Sequence, residues 1–144
     1  MAHGVQEARS ARLDGHPFDG VHHPSQARLT TADLDDLARR LAPDDRSFRY
    51  RVVSKASYAR RKAAANGSGV GLLSAAESER VERIAFLWRF AMELWKDETD
   101  ARRFLFAPHM LMDYQKPIDL ALASESGARR VENMIGRAMY GTYS

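Results

Sequence analysis

Between Ser74 and Trp95 the apolar residues fall at helical spacing over an unusually broad arc, and this constrains the fold more than any other feature. Val81, Ile84, Ala85, Trp88, Ala91, Met92 and Trp95 form one stripe, and Leu87, Phe90 and Leu94 widen it. A helix with so wide an apolar face packs on more than one side, so other helices must surround it. It opens on Ser74-Ala-Ala-Glu77, a capping box in which hydroxyl and carboxylate satisfy each other's backbone amides. Trp88 and Trp95 are expected in the core. No segment of the chain alternates as a half-buried strand would, so the expected class is all-α.

Local signals place further helices on either side. Thr30 or Thr31 can cap a first helix whose Leu34, Leu37, Ala38 and Leu41 share one face, and Pro43 stops it. A short second element holds Phe48, Val52 and Val53. Ser54 caps a third helix from Lys55 that Asn66-Gly67 ends. Beyond the long helix, residues 97–100 can cap a helix through Ala101, Phe104 and Leu105, which Pro108 ends. Pro117 suits the first turn of another over Ile118-Asp-Leu-Ala-Leu. Ser124 can cap the last helix, with Val131, Met134, Ile135 and Ala138 buried. Gly141 stands where a left-handed residue closes a helix.

The chain of 144 residues suffices for one domain or two small ones sharing a core. The flexible stretch Asn66-Gly-Ser-Gly-Val-Gly71 marks the expected boundary. Residues 1–28 hold several Gly, Pro and His and few large apolar side chains, which predicts a mobile tail. The domains expected are therefore the tail at 1–28, a first helical unit at 29–71 and a second at 72–144.

The sequence has no Cys, which excludes disulfides and suits a reducing cytoplasm, where the protein is expected. No run is long and apolar enough to span a bilayer, and Met1-Ala-His-Gly-Val-Gln-Glu does not read as a secretory signal. His3, His16, His22 and His23 are irregularly spaced and lack carboxylate partners, so no metal is expected. There is no HExxH, GxSxG or Cys nucleophile. His109 can act as a base or cap a helix end, and capping is the commoner use. The acidic residues alternate with Arg along helices, as in Glu79, Arg80, Glu82 and Arg83, the pattern of a solvated ion-pair face. The reading is a binding protein, with no enzyme activity, catalytic residue or cofactor.

Charge is unevenly distributed. Arg46, Arg49, Arg51, Lys55, Arg60, Arg61 and Lys62 follow one another with no acidic residue between them, whereas charges nearly cancel from Leu72 onward. Three short helices with the basic one last have the outline of a helix-turn-helix unit. Ser54, Lys55, Ser57, Arg60 and Arg61 are then the residues to face a DNA groove. Arg60 and Arg61 equally suit phosphates, and the whole stretch equally suits a solvated basic face.

Ordered fragments along the chain resemble the Xre/MbcA/ParS-type antitoxins of bacterial type II toxin–antitoxin modules. Leu73-Ser-Ala-Ala-Glu-Ser-Glu-Arg-Val resembles the family's L-S-x-x-E-S-x-R opening. Ala101-Arg-Arg-Phe-Leu with Pro108 resembles A-x-x-W-L…P, with Phe104 in place of Trp. Lys116-Pro-Ile-Asp-Leu-Ala resembles T-P-I-D-L, and Ser124-Glu-Ser-Gly-Ala-Arg-Arg-Val-Glu resembles T-E-x-G-A-x-x-V-E. Tyr140-Gly141 resembles the closing Y-G. Upstream, Val52-Val-Ser-Lys-Ala-Ser-Tyr-Ala-Arg-Arg resembles V-x-x-x-T-L-x-R-R. The resemblance runs from about Leu29 to Ser144. Tyr114 replaces the Gly usual before the Pro117 turn. A Gly there often means positive φ, and a Tyr can instead project onto a partner.

The resemblance implies an Xre-like helix-turn-helix bundle followed by a small helical toxin-binding domain. It implies a partner toxin of the RES type, which consumes NAD as an NADase or ADP-ribosyltransferase. Neutralisation is by direct binding, the antitoxin's C-terminal end blocking the NAD pocket. The expected toxin-facing residues are Pro117, Gly127, Arg130, Tyr140 and Gly141 within the matching motifs, together with Arg137 and with Thr142, Tyr143 and Ser144, which add aromatic surface, hydroxyls and a terminal carboxylate. A homodimer within a hetero-oligomeric complex, and binding to the operon's own operator DNA, also go with the family. The alternative is a helix-turn-helix transcriptional regulator with no toxin partner.

Overall fold

The computed structural model describes residues 28–67 and 69–141. The tail expected over residues 1–28 lies outside them except for Arg28, as do Thr142, Tyr143 and Ser144. Among the described residues the fold is all-α, as expected. The helices are α1 (Thr31–Leu41), α2 (Arg49–Val52), α3 (Lys55–Asn66), α4 (Ala75–Trp95), α5 (Glu98–Phe106), α6 (Pro117–Ala123) and α7 (Glu125–Tyr140), with a 3₁₀ turn at Met110–Met112. They fall into two compact units, residues 28–82 and 83–141.

In the first unit, Thr30 caps α1 through a complete capping box with Asp33, and Leu34, Leu37, Ala38 and Leu41 form its buried face. Ser54 caps α3, accepting a hydrogen bond from the Ser57 amide at 3.2 Å. Of α3 only Tyr58 is buried. Its hydroxyl donates to the buried Asp35 carboxylate of α1 at 2.8 Å, and Asp35 also holds Arg49 and, at 3.2 Å, Lys62. One acidic side chain thus ties three helices.

The unit boundary falls inside α4, between Glu82 and Arg83, beyond the glycine-rich stretch where composition places it. The reason lies in the bonds made by the start of α4. The Leu73 amide donates to the Leu29 carbonyl (2.8 Å), and the Leu29 amide donates to Ser78 Oγ (2.9 Å). Glu77 pairs with Arg61 at 2.8 Å, and Arg80 donates to the Val52 carbonyl.

In the second unit, Ile84, Ala85, Leu87, Trp88 and Ala91 of α4 are buried. Trp95 departs from the expectation of a core residue. It is 42% exposed, because α4 ends there and Lys96 turns the chain with a positive φ of 56°. Its ring lies 6.0 Å from Phe104, which in turn lies 6.0 Å from His109. Asp97 caps α5, whose Ala101 and Leu105 are buried. Arg83, itself buried, donates from Nε to the Ala121 carbonyl at 3.1 Å and so fastens α6 to α4. Pro117 opens α6, and Ser124 both closes α6 and caps α7, accepting from the Gly127 amide at 2.9 Å. On α7, Ala128, Val131 and Ile135 are buried, while Ala138, expected among them, is exposed on the last turn.

Candidate functional site

The residues expected to face DNA do not form one open basic face. Arg61 is committed to Glu77. Burial pushes the Glu77 carboxyl up, but the Ser74 amide and the Arg61 guanidinium outweigh it and hold Glu77 below its ordinary value. Arg49 and Lys62 are drawn to Asp35. Ser54 and Ser57 are engaged in the cap, where Ser57 Oγ also accepts from Arg60 at 3.4 Å. Lys55 and Arg60 remain exposed on α3, with Lys55 lying over the Tyr50 ring.

The expected toxin-facing residues divide by burial. Pro117 and Gly127 are buried. Arg130, Arg137 and Tyr140 are exposed on α7, with Asn133 between them. The spacing of 130, 133, 137 and 140 makes these one stripe, on the side of α7 opposite Ala128, Val131 and Ile135. Burial pushes the Glu132 carboxyl above its ordinary range, against the pull of Arg129 and with the help of Glu125. Gly141 has a φ of 81°, the positive value expected of it. Its ψ of 175° is not that of a left-handed closing residue, and places it in a region essentially reserved for glycine.

Next to this stripe stands a second exposed feature. The segment between Pro108 and Pro117 displays Met110 (68% exposed), Leu111 (68%) and Tyr114 (71%). It is well built. His109 Nδ1 accepts from the Leu111 amide at 3.4 Å, which makes His109 a cap. The amides of Tyr114 and Gln115 donate to the carbonyls of His109 (2.9 Å) and Met112 (3.0 Å), and buried Met112 anchors the turn. From α7, Arg130 reaches the Leu111 carbonyl at 3.5 Å and Asp113 at 3.1 Å. The sequence does not mark Met110 and Leu111 as displayed, because apolar residues between two prolines look like core. Their one sequence signal is the lack of helical or strand spacing around them.

Asp113 and Tyr114 both hold positive φ, 56° and 62°. Tyr114 therefore keeps the left-handed backbone that a Gly at its position often signals, and its side chain is exposed. A left-handed non-glycine residue costs roughly 1–2 kcal/mol, part of which glycine returns through its looser unfolded state. Tyr114→Gly is expected to stabilise the fold by about 1 kcal/mol, read as a higher urea midpoint, while removing an exposed ring.

Residues 90–141 match the family described as the antitoxin Xre/MbcA/ParS C-terminal toxin-binding domain. Over these residues the chain is similar to that toxin-binding domain. The match takes in the end of α4, then α5, the Met110–Met112 turn, α6 and α7 as far as Gly141. The upstream fragments around Leu73 and Val52, which resemble the same family, lie outside the match. No curated protein matches the chain. The matched family supports an antitoxin role for the chain. No helix among the described residues is long and apolar enough to cross a membrane. Among the same residues, no group of three or more His, Asp or Glu could hold a metal ion.

Proposed function

We propose that the chain neutralises a RES-domain toxin that consumes NAD, by binding it directly and closing its NAD pocket with the residues that follow α7. The observation that carries this reading is the exposed stripe Arg130, Asn133, Arg137 and Tyr140, which leads to Gly141 within the matched toxin-binding domain. The Tyr140 ring suits the stacking surface of a nucleotide site, and the exposed arginines suit toxin carboxylates around it. Inhibition of this kind needs no chemistry from the antitoxin. A homodimer built through the first unit is part of the same reading. The exposed side of α3, with Lys55 and Arg60, is the surface it would turn to operator DNA.

The test is co-expression of the toxin with the full chain or with a chain lacking residues 141–144. The full chain is expected to restore growth and cellular NAD. The shortened chain is expected to copurify with the toxin, with Kd raised no more than about tenfold (~1.4 kcal/mol), yet to leave the cells poisoned. Full protection by the shortened chain would mean that pocket closure is not the mechanism.

A further inference from the structure

Exposed apolar side chains scattered singly need no explanation, but Met110, Leu111 and Tyr114 are grouped on one short turn. The turn is not loose chain. It is closed by backbone hydrogen bonds, capped by His109, anchored by buried Met112 and braced from α7 by Arg130. It also retains two left-handed non-glycine residues, a backbone state that persists only where surrounding structure enforces it. A turn held this firmly around side chains that face water is organised for something other than its own core. The same Arg130 belongs to the α7 stripe, so turn and stripe are continuous within the matched toxin-binding domain.

Building on the proposed pairing with a RES-domain toxin, we propose that this turn is the anchor of the toxin complex. Met110, Leu111 and Tyr114 seat in an apolar pocket of the toxin, at a point separate from the NAD site that the end of α7 closes. Methionine and leucine fill irregular apolar clefts, and a tyrosine covers a large contact area at low entropic cost. Lys116, close along the chain to Tyr114, sets the rim: it is exposed, and its side chain makes no hydrogen bond or ion pair among the described residues. The toxin pocket therefore has carboxylates around its mouth. The antitoxin holds by the turn and inhibits by the end of α7.

The two roles separate experimentally. Binding of the full chain to purified, catalytically inactivated RES-domain toxin is measured by titration calorimetry. The double variant Met110→Ser with Leu111→Ser is expected to raise Kd at least about 100-fold, with an unchanged helical circular dichroism spectrum. The conservative pair Met110→Leu with Leu111→Met is expected to stay within about threefold of wild type. An unchanged Kd for the serine variant would overturn the proposal while leaving the toxin pairing intact. Altered self-association of the serine variant without toxin, at unchanged toxin affinity, would overturn it in favour of a second copy of this chain. Failure of the wild-type chain to bind the toxin at all would overturn the pairing and the anchor together.

Discussion

Gly127→Ala is expected to be the most damaging single methyl group that can be added to the second unit. Ser124 alone joins α6 to α7, so the first turn of α7 lies against the last turn of α6. A Cβ on residue 127 would stand 2.1 Å from the Leu120 carbonyl oxygen and 2.8 Å from its carbon. Both atoms are backbone within a helix, so neither can swing aside as a side chain would. Overpacking a core costs about 1–3 kcal/mol where neighbours can adjust. Here they cannot, and a loss of about 3 kcal/mol or more is expected, a large share of a typical domain stability of roughly 5–15 kcal/mol. Gly136→Ala supplies the control. Its Cβ would meet only the end of the Phe90 ring, at 3.8 Å, inside the same helix. Removing a helix-interior glycine there is expected to stabilise by roughly 0.5–1 kcal/mol. Thermal unfolding followed by helical circular dichroism reads both variants. Equal melting of the two would mean that the corner at Ser124 yields, against the geometry.

Asp35→Ala is expected to have the largest effect in the first unit. The Asp35 carboxylate accepts from Tyr58, Arg49 and Lys62, and the Tyr58 ring is the only buried part of α3. Removing the carboxylate takes the counter-charge from the Arg49 guanidinium, whose side chain is 16% exposed, and the acceptor from the buried Tyr58 hydroxyl, leaving the Arg49 bond to that hydroxyl at 3.2 Å. Lys62, at 44% side-chain exposure, can return to water and adds little. Leaving one partly buried charge without its counter-ion and one buried hydroxyl without an acceptor costs roughly 2–4 kcal/mol. Asp35→Asn keeps an acceptor for Tyr58 while losing the charge, and is expected to fall between wild type and Asp35→Ala. Chemical denaturation gives the ranking. An Asn variant as unstable as the Ala variant would assign the stability to charge and not to the hydroxyl bond.

Features of this fold set by neighbours along the chain are legible in the amino-acid sequence. Ser54, Ser74 and Ser124 each cap the helix they are expected to cap, and Thr30 and Asp97 are the caps among the alternatives at their helix starts, since a cap is written within a few residues of the chain. Pro117 opens its helix for the same local reason. What depends on distant partners is not legible. Nothing near Arg61 or Lys62 announces that Glu77 and Asp35, sixteen and twenty-seven residues away, take up their charge, so the basic stretch reads as more open than it is. Trp95 and Ala138 sit at the apolar positions of their helices, yet both fall near a helix end and face solvent. In the candidate surface, Arg130 and Tyr140 lie in motifs that carry the family resemblance. Met110 and Leu111 lie outside them, and apolar character alone does not tell a core residue from a displayed one.

The single-residue joint between α6 and α7 has a mechanical consequence. With Ser124 serving both helices and Gly127 pressed onto Leu120, the angle between them has no slack, and Arg83 clamps the earlier helix at Ala121. The pair acts as a rigid bracket. Whatever docks on its outer edge meets a shape already set at folding, and little freedom is left to lose on contact.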